Sequence, residues 1–175
     1  VKFPRGMCRE LVQKNAPPEF VQYARNPARN VRIGGNSTVF APAYGSPFVL
    51  NADEGRRYAR IDDFRNFVKL AYMATSLHHS GGTICEPVDL PVNKRHLDMV
   101  YSHIKYSDKA FMGSVTAPER ARDSVELAKI AFGADAVDPA TGKLRTMMIS
   151  LINVNSPMVY DATMLGALKV YARAN

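Results

Sequence analysis

Apolar positions along this chain recur with one of two periods, and the period changes near residue 60. Before it, "EFVQYA" and "NVRIGG" alternate apolar and polar side chains as short strands do. Turn signals at Ala16-Pro17-Pro18, Asn26-Pro27 and Gly34-Gly35 separate them. A further β-rich run, Thr38 to Ala41, passes into a Pro- and Gly-rich loop. Beyond it, Ile61, Phe64, Val68 and Ala71 fall at helical spacing, with Asp62 and Asp63 in the first turn, where the helix dipole favours acids. This predicts a helix over 61–77. "GTICEP" predicts a short strand. Leu97, Val100, Tyr101 and Ile104 then mark one face of a helix that Asn93 could cap. "AFMGSVT", 110–116, predicts another strand. Thr116-Ala117-Pro118-Glu119 has the form of a capping box, opening a helix that turns Ala121, Val125, Ala128 and Phe132 inward and stops at Gly133. After the polar excursion "ADAVDPATGKLR", the near-continuous apolar run "TMMISLIN", 146–153, predicts a strand covered on both faces. Ser156-Pro157 starts a last helix through Leu165, Leu168 and Ala172.

From residue 38 onward the order is β-α-β-α-β-α-β-α. Such alternation implies parallel strands joined by right-handed crossovers. The expected fold class is α/β: the N-terminal half of a TIM (β/α)8 barrel over 38–175, preceded by a β-rich N-terminal segment at 1–37. A closed doubly wound sheet is the competing architecture. The chain ends at "KVYARAN", inside a helical pattern, which favours the half barrel and a polypeptide truncated at both ends.

Composition narrows the function classes. The 175 residues are 46% hydrophobic and 22% charged, an ordinary globular balance. No apolar run approaches the ~20 residues of a membrane span, and no apolar segment follows the N-terminus as in a signal peptide. Two cysteines, Cys8 and Cys85, are too few for a disulfide framework and fit a reducing cytoplasm. The net charge of +7 is spread in runs of no more than two basic residues, so it reads as a solvated face, with nucleic-acid binding a minor alternative.

Candidate chemistry gathers where strands hand over to helices, the ends that converge on one face in parallel βα architectures. The stretch "SLHHSGGTICEPVDLPV" contains such a handover. His78, His79 and Cys85 could ligate zinc, but adjacent histidines point apart and no CxxC or HxxxH partner exists, so no metal is expected. Gly81-Gly82 precedes a strand instead of following one, unlike a phosphate loop. The two histidines are expected to close the preceding helix, and Cys85 to point away from Glu86 toward the helices. Glu86 is then either a ligand contact or a rim carboxylate paired with an arginine. Asn153 and Asn155 alternate at a strand end and could face one ligand, or serve as turn residues. Tyr44 could offer a π face to a cation, or be a plain loop aromatic. Met147 and Met148 read as core filler. Ser114 and Thr116 have no histidine placed as a base, so a hydrolytic triad is weakly supported. The candidate substrate-binding set is Glu86, Asn153, Asn155, Tyr44 and Ser114, with no catalytic residue assigned.

Four long strings, "FAPAYGSPFV", "LHHSGGTICEPVDLPVNKRH", "GSVTAPERA" and "NSPMVYDATMLGALKVYARAN", closely resemble the trimethylamine:corrinoid methyltransferase family, with the likeness running from about Tyr23 to the end. The resemblance implies a TIM barrel that moves a methyl group from a methylated amine to the cobalt of a corrinoid (cobalamin) carried by a separate partner protein. It implies that the chain is an internal part of a longer protein, with no corrinoid bound by this part itself. One branch of the family carries a pyrrolysine and uses trimethylamine; the other lacks it and includes enzymes for quaternary amines such as glycine betaine. The diagnostic position lies beyond this chain, so the branch stays open, with the pyrrolysine-free one preferred. The expected partners are a corrinoid protein and a methylated amine, without nucleic acid or membrane, in a cytoplasmic homo-oligomer. A non-catalytic barrel that captures small cations is the alternative from another class.

Overall fold

The computed structural model describes residues 2–154 and 159–174. Helix α1 (Met7–Asn15) precedes an antiparallel hairpin of β1 (Glu19–Gln22) and β2 (Val31–Gly34), in the register Glu19↔Gly34 to Gln22↔Val31. The hairpin loop is closed by Asn26, whose side chain accepts from the Ala28 amide over a single 3-10 turn. A second hairpin follows, β3 (Phe48–Asn51) with β4 (Gly55–Tyr58). It was not predicted from the sequence; the expected run at 38–41 forms no regular strand. Its turn is built by Asn51, whose Oδ1 accepts from the amides of Asp53 (3.0 Å) and Glu54 (2.6 Å), with Gly55 at φ +67°.

Helix α2 (Ile61–Met73) buries the four predicted residues, Ile61, Phe64, Val68 and Ala71. It is tied to the second hairpin by Arg57, which grips both oxygens of Asp63 at 2.7 and 2.9 Å. Asp63 also accepts from the Arg60 amide at 2.8 Å, which closes the helix N-terminus. The helix ends four residues before the expected 77, and the histidines do not close it. Lys109 does: its Nζ donates to the carbonyls of Ala71, Ala74 and Leu77 at 2.7, 2.9 and 2.7 Å.

Helix α3 (Arg95–Tyr106) buries Val100 and packs Ile104 against the core as expected, but its inner face is shifted toward its histidines. Its buried residues are His96, Val100, Ser102 and His103, whereas Leu97 and Tyr101 are 37% and 50% exposed. The polar inner face is stable because each histidine has a partner: His96 binds Asp123, and His103 binds Ser80 and the Gly82 carbonyl. Asn93 does not cap this helix; Lys94 precedes it without a side-chain cap. Helix α4 (Pro118–Phe132) starts on Pro118 and stops at Gly133 as expected, burying Ala121, Val125 and Ala128. The capping box is not formed, and Thr116 instead accepts from Arg120. Ser156 and Pro157, the expected start of the last helix, lie outside the described residues. That helix, α5 (Ala162–Ala174), is capped by Asp161, whose Oδ1 accepts from the Met164 amide at 2.7 Å. It turns Ala167 inward, while Leu165 and Leu168 are partly exposed.

The predicted strands at 82–87, 110–116 and 146–153 contract to short parallel contacts. Among the described residues, β5 (Phe111–Met112) and β6 (Met148–Ile149) form the one parallel ladder, with Phe111↔Met148 and Met112↔Ile149 paired. Parallel bridges Ser46↔Cys85 and His79↔Ala110 extend the order. Backbone bonds run from Gly45 N to Thr83 O (2.8 Å), Met112 N to Gly81 O (2.9 Å) and Gly113 N to Ile149 O (2.9 Å). Segments 40–46, 78–86, 110–113 and 148–150 therefore lie side by side, parallel and in chain order, with helices between them in sequence. Proline at 42 and glycines at 81 and 113 shorten the regular strands, since one removes an N–H and the others bend the backbone. The first hairpin packs beneath the start of these segments: Gln22 Nε2 donates to Phe111 O at 2.8 Å and Tyr23 N to Thr146 O at 2.8 Å. Among the described residues, no helix is long and apolar enough to cross a membrane.

Candidate functional site

The C-terminal ends of the four parallel segments surround a cavity of about 320 Å³. Tyr44 and Gly45 enter from the first segment, Thr83 and Glu86 from the second, Met112 to Ser114 from the third, and Leu151 and Asn153 from the stretch after the fourth. Arg95, His96 and Met99 of α3, Arg120 of α4 and Met164 of α5 complete the wall. A larger groove, about 690 Å³, runs beside β6 between α5 and Pro17 and Phe20. Among its described lining residues the one charged side chain is Arg145, whereas the smaller cavity gathers Glu86, Arg95, His96 and Arg120 and is the better candidate.

Glu86 and Cys85 are consecutive on an extended segment and so face opposite ways. Cys85 is buried in the core formed by Val49, Ala59, Ile61, Phe64 and Val68, where burial pushes its thiol up to about 12. Glu86 reaches the cavity rim and bonds Arg95 Nη1 through Oε1 at 2.6 Å. Arg95 also donates to the Leu90 carbonyl at 3.1 Å, which fixes the pair against the loop before α3. His96 is 4% exposed; its Nε2 lies 2.7 Å from Asp123 Oδ2, and its Nδ1 has no protein partner. Arg120 donates to Thr116 Oγ1 at 2.8 Å, and among the described residues no carboxylate pairs with it.

The floor is held from behind. Ser124 Oγ accepts from the Ser114 amide at 3.0 Å, Tyr171 OH donates to the Ser114 carbonyl at 2.5 Å, and Ser150 Oγ donates to the Gly113 carbonyl at 3.0 Å. A Cβ on Gly113 would meet Tyr171 OH at 2.6 Å and Met148 Sδ at 2.8 Å, so only glycine lets these elements close beneath the cavity. Ser114 Oγ faces Thr116 Oγ1 at 3.4 Å, with no imidazole on it.

His78 and His79 of the 76–92 stretch, and His103 of α3, bond to protein groups. His79 Nδ1 accepts from the Gly81 amide at 2.9 Å, so the proton sits on Nε2 and points to Gln22 Oε1 at 3.1 Å. His103 meets the Gly82 carbonyl through Nε2 (2.8 Å) and therefore accepts the Ser80 hydroxyl proton on Nδ1 (2.7 Å). Burial holds both rings neutral, pushing each down to about 4. Phe40 donates its amide to His78 Nδ1 at 3.1 Å. Among the described residues, no group of three or more His, Cys, Asp or Glu is gathered as a metal site.

Tyr44, Glu86, Ser114 and Asn153 thus share one cavity; Asn155 lies outside the described residues. Sequence reasoning missed Arg95, His96 and Arg120. Arg95 is the first residue of α3 and Arg120 the third of α4, and a cation in a first turn opposes the helix dipole. That mismatch was the available signal. The methionines Met99, Met112 and Met164 were missed because a lone Met carries no positional signature.

A model of the trimethylamine methyltransferase (MTTB) family matches residues 1–175. The chain is also 50% identical over 171 residues to a glycine betaine methyltransferase of Desulfitobacterium hafniense (strain Y51), covering 96% of this chain and 35% of that relative. The chain spans about a third of the length of the curated relative it matches.

Proposed function

Because this chain belongs to the trimethylamine methyltransferase family, we propose that the whole protein takes a methyl group from a methylated amine held in the cavity between Tyr44, Glu86 and Asn153. The four parallel segments and their helices would be the first half of a (β/α)8 barrel, preceded by the β-rich segment at 1–37. In this reading the groove beside β6 is where the fifth unit packs. The acceptor would be the cobalt of a corrinoid on a partner protein docking over the strand ends, in the cytoplasm.

One observation carries the reading: the cavity is furnished to hold a methylated amine and not to attack it. Tyr44 offers an aromatic face, and Met99, Met112 and Met164 offer polarizable thioethers. An N-methyl group cannot donate a hydrogen bond, so such surfaces suit it. Among the described lining residues there is no thiol and no hydroxyl held by an imidazole. The Cys85 thiol faces the core, and the Ser80–His103 pair is buried behind the cavity. Those residues fit an acceptor brought from outside. A reduced corrinoid would supply the nucleophile. The chain's own part would be to bind the amine, orient one N–CH3 bond toward the open face, and exclude water, which favours displacement through proximity.

The full-length protein, mixed with a reduced corrinoid protein and a panel of methylated amines, tests this. The expected result is loss of the reduced-cobalt absorbance together with one demethylated amine per methyl-cobalt formed, for at least one amine. If no amine is demethylated by protein that binds its corrinoid partner, the proposal fails.

A further inference from the structure

Helices α4 and α5 form a second concave feature, a groove of about 580 Å³ that shares no described lining residue with the cavity at the strand ends. The helices approach closely where α4 begins: a Cβ on Gly166 of α5 would lie 2.5 Å from Pro118 Cγ. Beyond this contact Arg122 and Lys129 stand on one bank, about two turns apart on α4. Lys169 and Arg173 stand on the other, about one turn apart on α5. Val125 and Val170 lie between the banks. Glu126 is the one carboxylate among the described lining residues, and Lys129 occupies it at 2.7 Å. Among the described residues, no carboxylate pairs with Arg122, Lys169 or Arg173. Like charges gathered on neighbouring helix turns repel, so the free protein holds these cations at a cost. The groove combines an apolar floor with an unmatched excess of positive charge on both edges.

We propose that this groove is the docking site for an amphipathic helix of a partner protein, one whose apolar stripe is flanked on both sides by Asp and Glu. The charge pattern selects that occupant. An apolar stripe at helical spacing seats on Val125 and Val170, and the acids at its edges meet Arg122 on one bank and Lys169 and Arg173 on the other. The guanidinium forks suit carboxylates, and the charges set the register and the speed of encounter while the floor holds the stripe. From Pro118 to Lys129 the bank on α4 runs about 16 Å, room for about three turns of such a helix. A second copy of this chain fits poorly, because each copy carries a net charge of +7. A nucleic-acid backbone would match the cations and leave the valines without an apolar partner.

Fluorescence anisotropy on the full-length protein tests the assignment. The probe is a labelled model peptide of about five helical turns, with leucine along one stripe and glutamate on both flanks. Micromolar binding that weakens with salt is expected, and a scrambled peptide of the same composition should bind at least about tenfold more weakly. Arg122→Glu combined with Lys169→Glu reverses one charge on each bank. It should weaken the striped peptide by about tenfold or more, with the melting temperature unchanged or raised because like-charge repulsion is relieved. Lys169→Glu alone should give an intermediate loss. No binding of the striped peptide, equal binding of the scrambled one, or an affinity that the double reversal leaves unaltered would overturn the site. A melting temperature clearly lowered by the double reversal would overturn it in favour of a groove covered by another part of the same polypeptide. A short DNA duplex that displaces the peptide and binds more tightly than it would overturn it in favour of a general polyanion surface.

Discussion

At the residue scale, buried polar side chains with complete sets of partners do much of the structural work, and two of them make the protein sensitive to acid. His79 and His103 are both held neutral, near 4, by burial, against 6.5 for an exposed ring. The unfolded chain therefore binds more protons than the folded one between those values, and stability rises with pH across the window. It is fully present above about 6.5 and is lost as pH falls toward 4. The melting temperature should drop from pH 6.5 to pH 5, before most carboxylates titrate; a flat profile there would contradict the placement of these rings. Lys109 is the second case. Its ammonium satisfies three carbonyls at the end of α2, so Lys109→Met should lower stability by about 2–3 kcal/mol, seen as a lower denaturant midpoint. A loss within error would mean that water caps the helix as well. At the rim, Glu86→Gln removes the carboxylate that pairs with Arg95 and the one negative charge among the described lining residues. Amine affinity should fall several-fold in the full-length protein without loss of fold, and unaltered affinity would show that Glu86 serves only as a rim contact.

At the element scale, helix positions were legible and strand lengths were not. The apolar spacing of Ile61, Phe64, Val68 and Ala71 named the inner face of α2 correctly because nothing polar competes for it. The same reasoning misjudged α3, where His96 and His103 are buried and Leu97 is not. Periodicity counts apolar residues, and it cannot see that a histidine will find Asp123 or Ser80 in distant parts of the chain. Lys109 was invisible for the same reason: its partners lie 32 to 38 residues earlier. The hairpin at 48–58 was missed although Asn51-Ala52-Asp53-Glu54-Gly55 is a turn signal, because its strands carry Arg56 and Arg57 where alternation expects one apolar residue in two. The candidate site was more legible than the strands, since four of its residues follow from a single topological rule about strand ends. Helices α4 and α5 add a test of packing. A Cβ on Gly166 would lie 2.5 Å from Pro118 Cγ, so Gly166→Ala must push the helices apart. Despite the better helix propensity of Ala, it should destabilise by about 1–3 kcal/mol; a stabilised variant would show that the two helices do not meet there.

At the scale of the whole molecule, the parallel segments, the hairpin packed beneath their starts and the cavity at their ends form one arrangement. Tight packing at the bottom, through Gln22, His79 and Phe111, leaves the opposite end free to be concave and chemically varied. The account's central claim is that this concave end holds the methyl donor. Crystals of the full-length protein soaked in glycine betaine test it most directly. The account predicts ligand density in the cavity between Tyr44, Glu86 and Asn153, with one N-methyl group turned toward the open face. Glycine betaine bound elsewhere, with this cavity free of ligand at saturating concentration, would contradict it.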